Sequence, residues 1–232
     1  MSPLPPHLQS FQAQGAFENQ PIAQYELGPH QNFIYLLLDW PSRQALWVDP
    51  QEDLAEPLQF LKNHSFKTVG ILLTHTHFDH IAGVPHLLNL FPEITVHVHP
   101  HDQHRLSSAA FQKARIQGIQ DGEDIHVGQL SVKVIHTPGH SAGGCCYHVQ
   151  TTPPALLSGD TLFIEDCGRT DLPTGSDEEL FHSLQKLKAL PADTLILPGH
   201  HYRKACASTL AQEKKNNPAL LCQTTQELRE LS

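Results

Sequence analysis

Thr74-His75-Thr76-His77-Phe78-Asp79-His80 follows directly on the apolar run Val69-Gly70-Ile71-Leu72-Leu73. An apolar run of this kind reads as a buried strand, so the cluster starts where a strand gives way to a loop. Four metal-capable side chains fall between His75 and His80. Three imidazoles and a carboxylate add little to packing at such a place. They suit a borderline divalent ion such as zinc, which binds imidazole nitrogen and carboxylate oxygen.

Three further segments repeat the arrangement. His136-Thr137-Pro138-Gly139-His140 closes the strand-like run Leu130–His136, and its Pro-Gly turn aims His140 out of the sheet. Ser158-Gly159-Asp160-Thr161-Leu162-Phe163 ends the run Ala155–Ser158 and puts Asp160 at its tip. Leu197-Pro198-Gly199-His200-His201-Tyr202 ends the run Thr194–Leu197 and presents His200. A Pro-Gly-His or a Gly-Asp alone marks only a turn. The order of all four segments, each at a strand end, is what points to one shared metal site. The chain has 18 histidines; His86, His97, His99, His101, His104, His126, His148 and His182 are read as surface or packing residues.

Other strands are expected at Ile22–Leu27, Phe33–Leu38, Ala45–Val48, Ile94–Val98, Asp124–Val127 and Gly143–Val149. Helices are expected at Leu54–Asn63 with Asp53 as N-cap, at Ile81–Leu90, from Ser176 or Asp177 to Leu190, at Ala205–Asn216 and at Thr225–Leu231. The stretch from His99 to about Gln117 reads as helical or irregular. Residues 1–20, rich in Pro and Gln, read as a loose arm. Strands, then a helix, then the same pattern again predict two sheets packed face to face with helices outside.

At 232 residues, with 39% hydrophobic and 17% charged residues, the chain can bury a sizeable core. A formal net charge of −9 argues against a nucleic-acid partner, although bound metal can reverse the local sign and admit an anionic substrate. No run is long and apolar enough to span a membrane, and no secretory signal is visible at the N-terminus. Five cysteines without a C-x-x-C pair read as reduced thiols of a cytoplasmic protein.

Taken in order, Thr-His-Thr-His-Phe-Asp-His, Thr-Pro-Gly-His, Gly-Asp-Thr-Leu-Phe and Pro-Gly-His resemble the metallo-β-lactamase superfamily, and within it the glyoxalase II-like (hydroxyacylglutathione hydrolase) branch. The resemblance runs from about Ile22 to Leu220. It implies an α/β fold, a four-layer αββα sandwich, with residues 21–232 as a single metallo-hydrolase domain. It implies two zinc ions, although iron or manganese could take the same N/O ligands. His75, His77 and His140 would hold one ion, Asp79, His80 and His200 the other, and Asp160 would bridge them. Asp79 is also taken as the catalytic carboxylate. Two divalent ions outweigh Asp79, Asp160 and one hydroxide, which leaves the site net positive. A hydroxide on the metals would then attack the carbonyl of a small-molecule acyl-thioester, possibly glutathione-linked.

The resemblance also implies that Arg169 and Tyr202 contact the thiol carrier. A salt bridge of Arg169 with Asp166 or Asp171 is the competing expectation, and packing is the competing one for Tyr202. Cys167 is expected to pack rather than react. Cys-Gly-Arg-Thr-Asp and the downstream Ser-Thr-Leu, Glu-Lys and Asn-Pro pattern are similar to the persulfide dioxygenase branch as well. That branch implies one iron on His75, His140 and Asp160.

Overall fold

Strand β2 (Asn32–Asp39) is buried at every position, and its side chains divide by the period of two that a pleated strand imposes. Phe33, Tyr35 and Leu37 join one core cluster, and Ile34, Leu36 and Leu38 join another. A strand apolar on both faces must be covered on both. In the computed structural model, which describes residues 19–231, one face of β2 meets a second sheet and the other meets helices. All but the last two residues of the expected N-terminal arm lie outside the described residues.

The first sheet has the order β1 (Ile22–Leu27), β2, β3 (Gln44–Val48), β4 (Lys67–Leu72), β5 (Thr95–Val98) and β6 (Arg115–Gly118). It is antiparallel up to β3 and parallel from β3 to β6. Four more strands of the second sheet precede the last two: β7 (Asp124–Val127), β8 (Leu130–His136), β9 (Cys145–Val149) and β10 (Ala155–Gly159). A two-stranded piece, β11 (Leu162–Phe163) with β12 (Asp166–Cys167), follows β10. With β13 (Leu195–Pro198) and β14 (Ser208–Thr209), the second sheet runs in the order β14-β13-β10-β9-β8-β7.

The helices lie outside. The outer face of the first sheet packs on α1 (Ala55–Asn63), α2 (Phe78–Ile81) and α3 (Val84–Leu90) through Leu61, Ile81, Val84 and Leu87. The outer face of the second sheet packs on α4 (Asp177–Lys188), α5 (Leu210–Asn216), α6 (Pro218–Leu221) and α7 (Thr225–Arg229) through Leu180, Leu184, Leu210 and Leu228. The expected four-layer αββα sandwich is the architecture found.

Several local expectations change. Asp53 does not cap α1: Leu54 holds the cap position without a side-chain bond, and Asp53 Oδ1 reaches only the Ala55 N–H at 3.4 Å. Burial of Leu54 fixes the start of this helix instead. The single helix expected over Ile81–Leu90 is two, broken at Gly83, whose N–H donates to the Pro50 carbonyl at 2.8 Å. A Cβ on Gly83 would lie 2.2 Å from the Gln51 carbonyl oxygen, so the break is where the helix meets the β3 turn. The stretch after His99 forms two 3-10 segments, Pro100–Leu106 and Ala109–Phe111, followed by the unexpected strand β6. The helix expected from Ala205 starts only at Leu210, because Ser208 and Thr209 pair with β13 and Thr209 then forms a capping box with Gln212. Ser176 caps α4 as expected, accepting from the Glu179 N–H.

Two buried tyrosines pin the sheets together. Tyr35 on β2 donates to the Pro198 carbonyl of β13 at 2.6 Å, and Tyr147 on β9 donates to the Leu73 carbonyl just past β4 at 2.5 Å. Each therefore reaches across the inter-sheet core to a strand end that leads into a histidine segment. Burial pushes both phenols well above their ordinary value, so they stay protonated donors. Tyr147→Phe keeps the ring and leaves the Leu73 carbonyl without this donor. It is expected to cost about 1–3 kcal/mol, read as a lower urea midpoint at unchanged slope.

Candidate metal centre

The segment Thr74–His80 hangs between two buried aspartates. Asp49, just after β3, accepts from the Thr74 N–H at 2.7 Å, from the Thr74 hydroxyl at 2.5 Å, and bonds His80 Nδ1 at 2.9 Å. Asp102, in the first 3-10 segment, accepts from the Thr76 N–H at 3.2 Å, the Ser141 hydroxyl at 2.9 Å and the Gly143 N–H at 2.9 Å. Asp102 thus ties the His75–His80 segment to the loop that carries His140. Gly199 lets the last segment close in, since a Cβ there would lie 2.2 Å from Asp160 Oδ1.

These bonds also settle which ring nitrogen each histidine turns inward. A carbonyl only accepts, so His140 Nδ1 donates to the Arg169 carbonyl at 2.8 Å and His200 Nδ1 to the His30 carbonyl at 2.9 Å. The Thr74 hydroxyl spends its proton on Asp49, so His75 Nδ1 donates to it at 3.1 Å. In each case the free lone pair is on Nε2. Such partners fix ring orientation and raise ligand basicity.

The inward atoms converge. His80 Nε2 lies 3.1 Å from His200 Nε2, and His140 Nε2 lies 2.9 Å from His77 Nδ1. His75 Nε2 and Asp160 Oδ1 are buried without a hydrogen-bond partner. One ligand atom from each of His75, His77 and His140 falls within 4.8 Å of the others, and the same is true of Asp79, His80 and His200. Asp160 sits between these groups. Its Oδ2 is 3.5 Å from His140 Nε2 and 3.3 Å from His200 Nε2, and its Oδ1 is 3.5 Å from His80 Nε2. Asn32, itself buried, donates to Asp79 Oδ2 at 2.9 Å and sets that carboxylate's direction. In each facing pair one nitrogen offers a lone pair, and a cation takes the place of the proton that the pair would otherwise share. The donor set therefore fits divalent metal.

The proton affinities divide the centre. Burial, then the neighbouring His80, holds His75 well below the ordinary imidazole value, and burial with His140 takes His77 down to about 4. Burial alone would lower His80 too, but Asp160 and Asp49 outweigh it and hold His80 well above that value. Burial would raise Asp160, yet His80 and His200 hold it well below the usual carboxylate range. His75 and His77 are thus neutral lone-pair donors at neutral pH, and Asp160 is an anion.

Asp49 also lies within reach of a third group with His75 and His80, but its oxygens are already occupied by Thr74 and His80. It is a positioning residue. Asp49, Asp102 and Asn32 were not singled out in the sequence. The signal available for Asp49 was its place in Val48-Asp49-Pro50 at the end of a strand, like the ligand segments; Asp102 and Asn32 lie in stretches with no such mark.

Arg169 and Tyr202 lie at the rim. The Arg169 guanidinium forks both oxygens of Asp171 at 2.6 Å, and Asp166 pairs with Arg203 instead. Both Arg169 and Asp171 are exposed, so this pair is a weak hold. Tyr202 is 52% exposed and stacks on His200 with ring centroids 4.7 Å apart. Phe78, 67% exposed, meets His30 edge-on at 5.4 Å. Burial, then Asp166, pushes the Cys167 thiol up to about 12, so it is no nucleophile at neutral pH. No disulfide joins any of the five cysteines, and no helix of the described residues is long and apolar enough to cross a membrane.

The chain is similar to known proteins. A hydroxyacylglutathione hydrolase of Erwinia tasmaniensis is 38% identical over 171 residues, 74% of this chain and 62% of the relative. The chain thus spans under two thirds of that relative's length. An uncharacterised protein of Mycobacterium leprae is 31% identical over 218 residues, covering 86% of this chain and 98% of its own. The crystal structure of ETHE1 from Myxococcus xanthus superposes with a TM-score of 0.78 at 28% identity, over 90% of this chain and 88% of that one. The profile of the metallo-beta-lactamase superfamily matches residues 28–200. Because that match begins ahead of β2, takes in strands of both sheets and ends on His200, the chain belongs to the metallo-β-lactamase superfamily.

Proposed function

We propose that residues 21–232 act as a single dinuclear metallohydrolase domain that cleaves a small-molecule acyl-thioester of the S-acylglutathione type. The observation that carries this is the pair of three-ligand groups on either side of Asp160. His75, His77 and His140 would hold one zinc, Asp79, His80 and His200 a second, with Asp160 shared. The similarity to hydroxyacylglutathione hydrolase supports the substrate class. Five cysteines without a disulfide suit a reducing, cytoplasmic setting.

Divalent ions at these positions supply Lewis-acid polarisation of a carbonyl and acidify bound water to near neutral pH. The chain's own residues do the rest. Asp49 orients His80 directly and His75 through Thr74. Asn32 holds Asp79, the proposed catalytic carboxylate, toward His80 and His200. A thiolate leaves as a weak base, so the protein needs no strong general acid. Tyr202 and Phe78 offer apolar surface to the substrate at the rim. Arg169 can exchange its exposed partner Asp171 for a carboxylate of the thiol carrier.

A second reading rests on the likeness to ETHE1: a persulfide dioxygenase with one iron on His75, His140 and Asp160. Metal content separates the two. Protein purified without added metal is expected to carry two ions per chain and to hydrolyse S-lactoylglutathione or another acyl-thioester of a small panel. Chelation is expected to abolish turnover and two equivalents of zinc to restore it. One iron per chain, with oxygen uptake on a persulfide and no thioester turnover, would overturn the hydrolase.

Asp49→Asn tests the positioning role. The amide keeps the shape and an acceptor for the Thr74 N–H, but loses the charge that orients His80. Affinity for at least one ion is expected to fall roughly 10–100-fold, measured by competition with a chromophoric chelator. Unchanged affinity for both ions would refute it.

A further inference from the structure

A second group of imidazoles lies away from the centre just described. His99 precedes the first 3-10 segment, His101 is its second residue, and His136 ends β8. One ring nitrogen from each falls within 4.8 Å of the other two. The rings of His99 and His136 stack at 4.0 Å and 8°, and His101 meets His99 edge-on at 4.9 Å. His99 is buried, His136 partly so, and His101 faces solvent.

From these residues we propose a peripheral site for a first-row divalent ion such as zinc, held by His99, His101 and His136. Imidazole suits zinc, copper and nickel alike, and three protein ligands with an open solvent position make a normal zinc shell. The Ala142 carbonyl bonds His136 Nε2 at 3.0 Å and His101 Nδ1 at 3.3 Å. A carbonyl only accepts, so these two rings keep their lone pairs on His136 Nδ1 and His101 Nε2, while the His99 lone pair, on Nδ1, accepts from the His101 N–H at 3.4 Å, a long bond that the ion has to replace. Burial, with His136 and His101 beside it, takes His99 down to about 4 and leaves it uncharged at neutral pH. Asp102 and Asp121 supply negative charge nearby, with Asp121 bonded to the His136 N–H at 2.8 Å. Lys186 opposes this by pairing with Asp121 at 2.7 Å and reaching the His136 carbonyl at 3.2 Å. To share one ion, the parallel stack of His99 and His136 must open by rotation of His136.

The position gives such an ion a consequence. His99 and His101 flank Pro100 beside Asp102, whose carboxylate grips Thr76, Ser141 and Gly143. His136 is the root of the loop that delivers His140. An ion bound here would clamp these two supports of the catalytic centre together, without touching the substrate.

The test counts zinc on the holoprotein at micromolar free zinc, by equilibrium dialysis and elemental analysis. His101→Ala is expected to bind one equivalent fewer than the wild type, with thioester turnover unchanged. The difference does not depend on how many ions the catalytic centre holds, so it stands or falls apart from the hydrolase reading. In a His75→Ala background the same one-equivalent difference is expected. Added zinc is also expected to raise the melting temperature of the wild-type holoprotein more than that of His101→Ala. Equal zinc content in wild type and His101→Ala, or an equal thermal response, overturns the site.

Discussion

The arrangement that everything else serves is a convergence of imidazoles and carboxylates that cations or shared protons must hold together. His80 Nε2 and His200 Nε2 face each other at 3.1 Å, His140 Nε2 and His77 Nδ1 at 2.9 Å, and Asp160 stands between the pairs. Left to themselves, such side chains would turn away and find water. They stay because the outer nitrogens of four of them are held from behind. Carbonyls of His30 and Arg169 hold His200 and His140, and Asp49 holds His80 directly and His75 by way of Thr74. The centre is thus preorganised for cations, and the orienting bonds belong to the fold rather than to any ligand.

That holding requires strand ends from both sheets to stay in register across the core. The cluster leaves β4 of the first sheet, while His140, Asp160 and His200 leave β8, β10 and β13 of the second. Hydrophobic packing between the sheets is strong but not directional. The directional contacts are Tyr35 to Pro198 and Tyr147 to Leu73, one from each sheet to the other. Both end within two residues of a ligand segment, so sheet packing and ligand placement are mechanically one problem. Asp102 adds a third tie, between the cluster and the His140 loop.

Much of this was legible in the sequence because it is local. An apolar run followed by a polar turn marks a strand end, and five of the seven candidate ligands lie on the loops that follow such ends, with Asp79 and His80 in the short helix α2 just beyond. The two-sided burial of β2 shows in Phe33 to Leu38 as an unbroken apolar run. What the sequence did not reveal depends on distant partners. Asp49 looks like any aspartate before a proline until Thr74 and His80 arrive beside it. Strand β6 is short, polar and at an edge, so it carries no hydrophobic signature; it exists because β5 offers it a parallel partner. The false continuity of α2 with α3 has the same origin, since Gly83 is broken out of the helix by contact with Pro50 and Gln51. Histidines were the hardest to sort. His99 and His101 read as packing or surface residues singly, and only the fold sets His136 against them.

The two enzymatic readings draw on one geometry and differ in what sits between His80 and His200. With a second ion there, both imidazoles are neutral ligands, and Asp79, aimed by Asn32, completes the set. With a single ion on His75, His140 and Asp160, some other positive charge must offset Asp79 and keep the two Nε2 atoms from repelling. A proton on His80 would do this, with the Asp49 carboxylate against its Nδ1 at 2.9 Å. The proton would then bridge from His80 to His200. The cost is that Asn32, His30 and Asp49 would orient groups that bind no metal. Three dedicated contacts on Asp79, His200 and His80 suit side chains that act as ligands, and that is the support for the dinuclear centre proposed above.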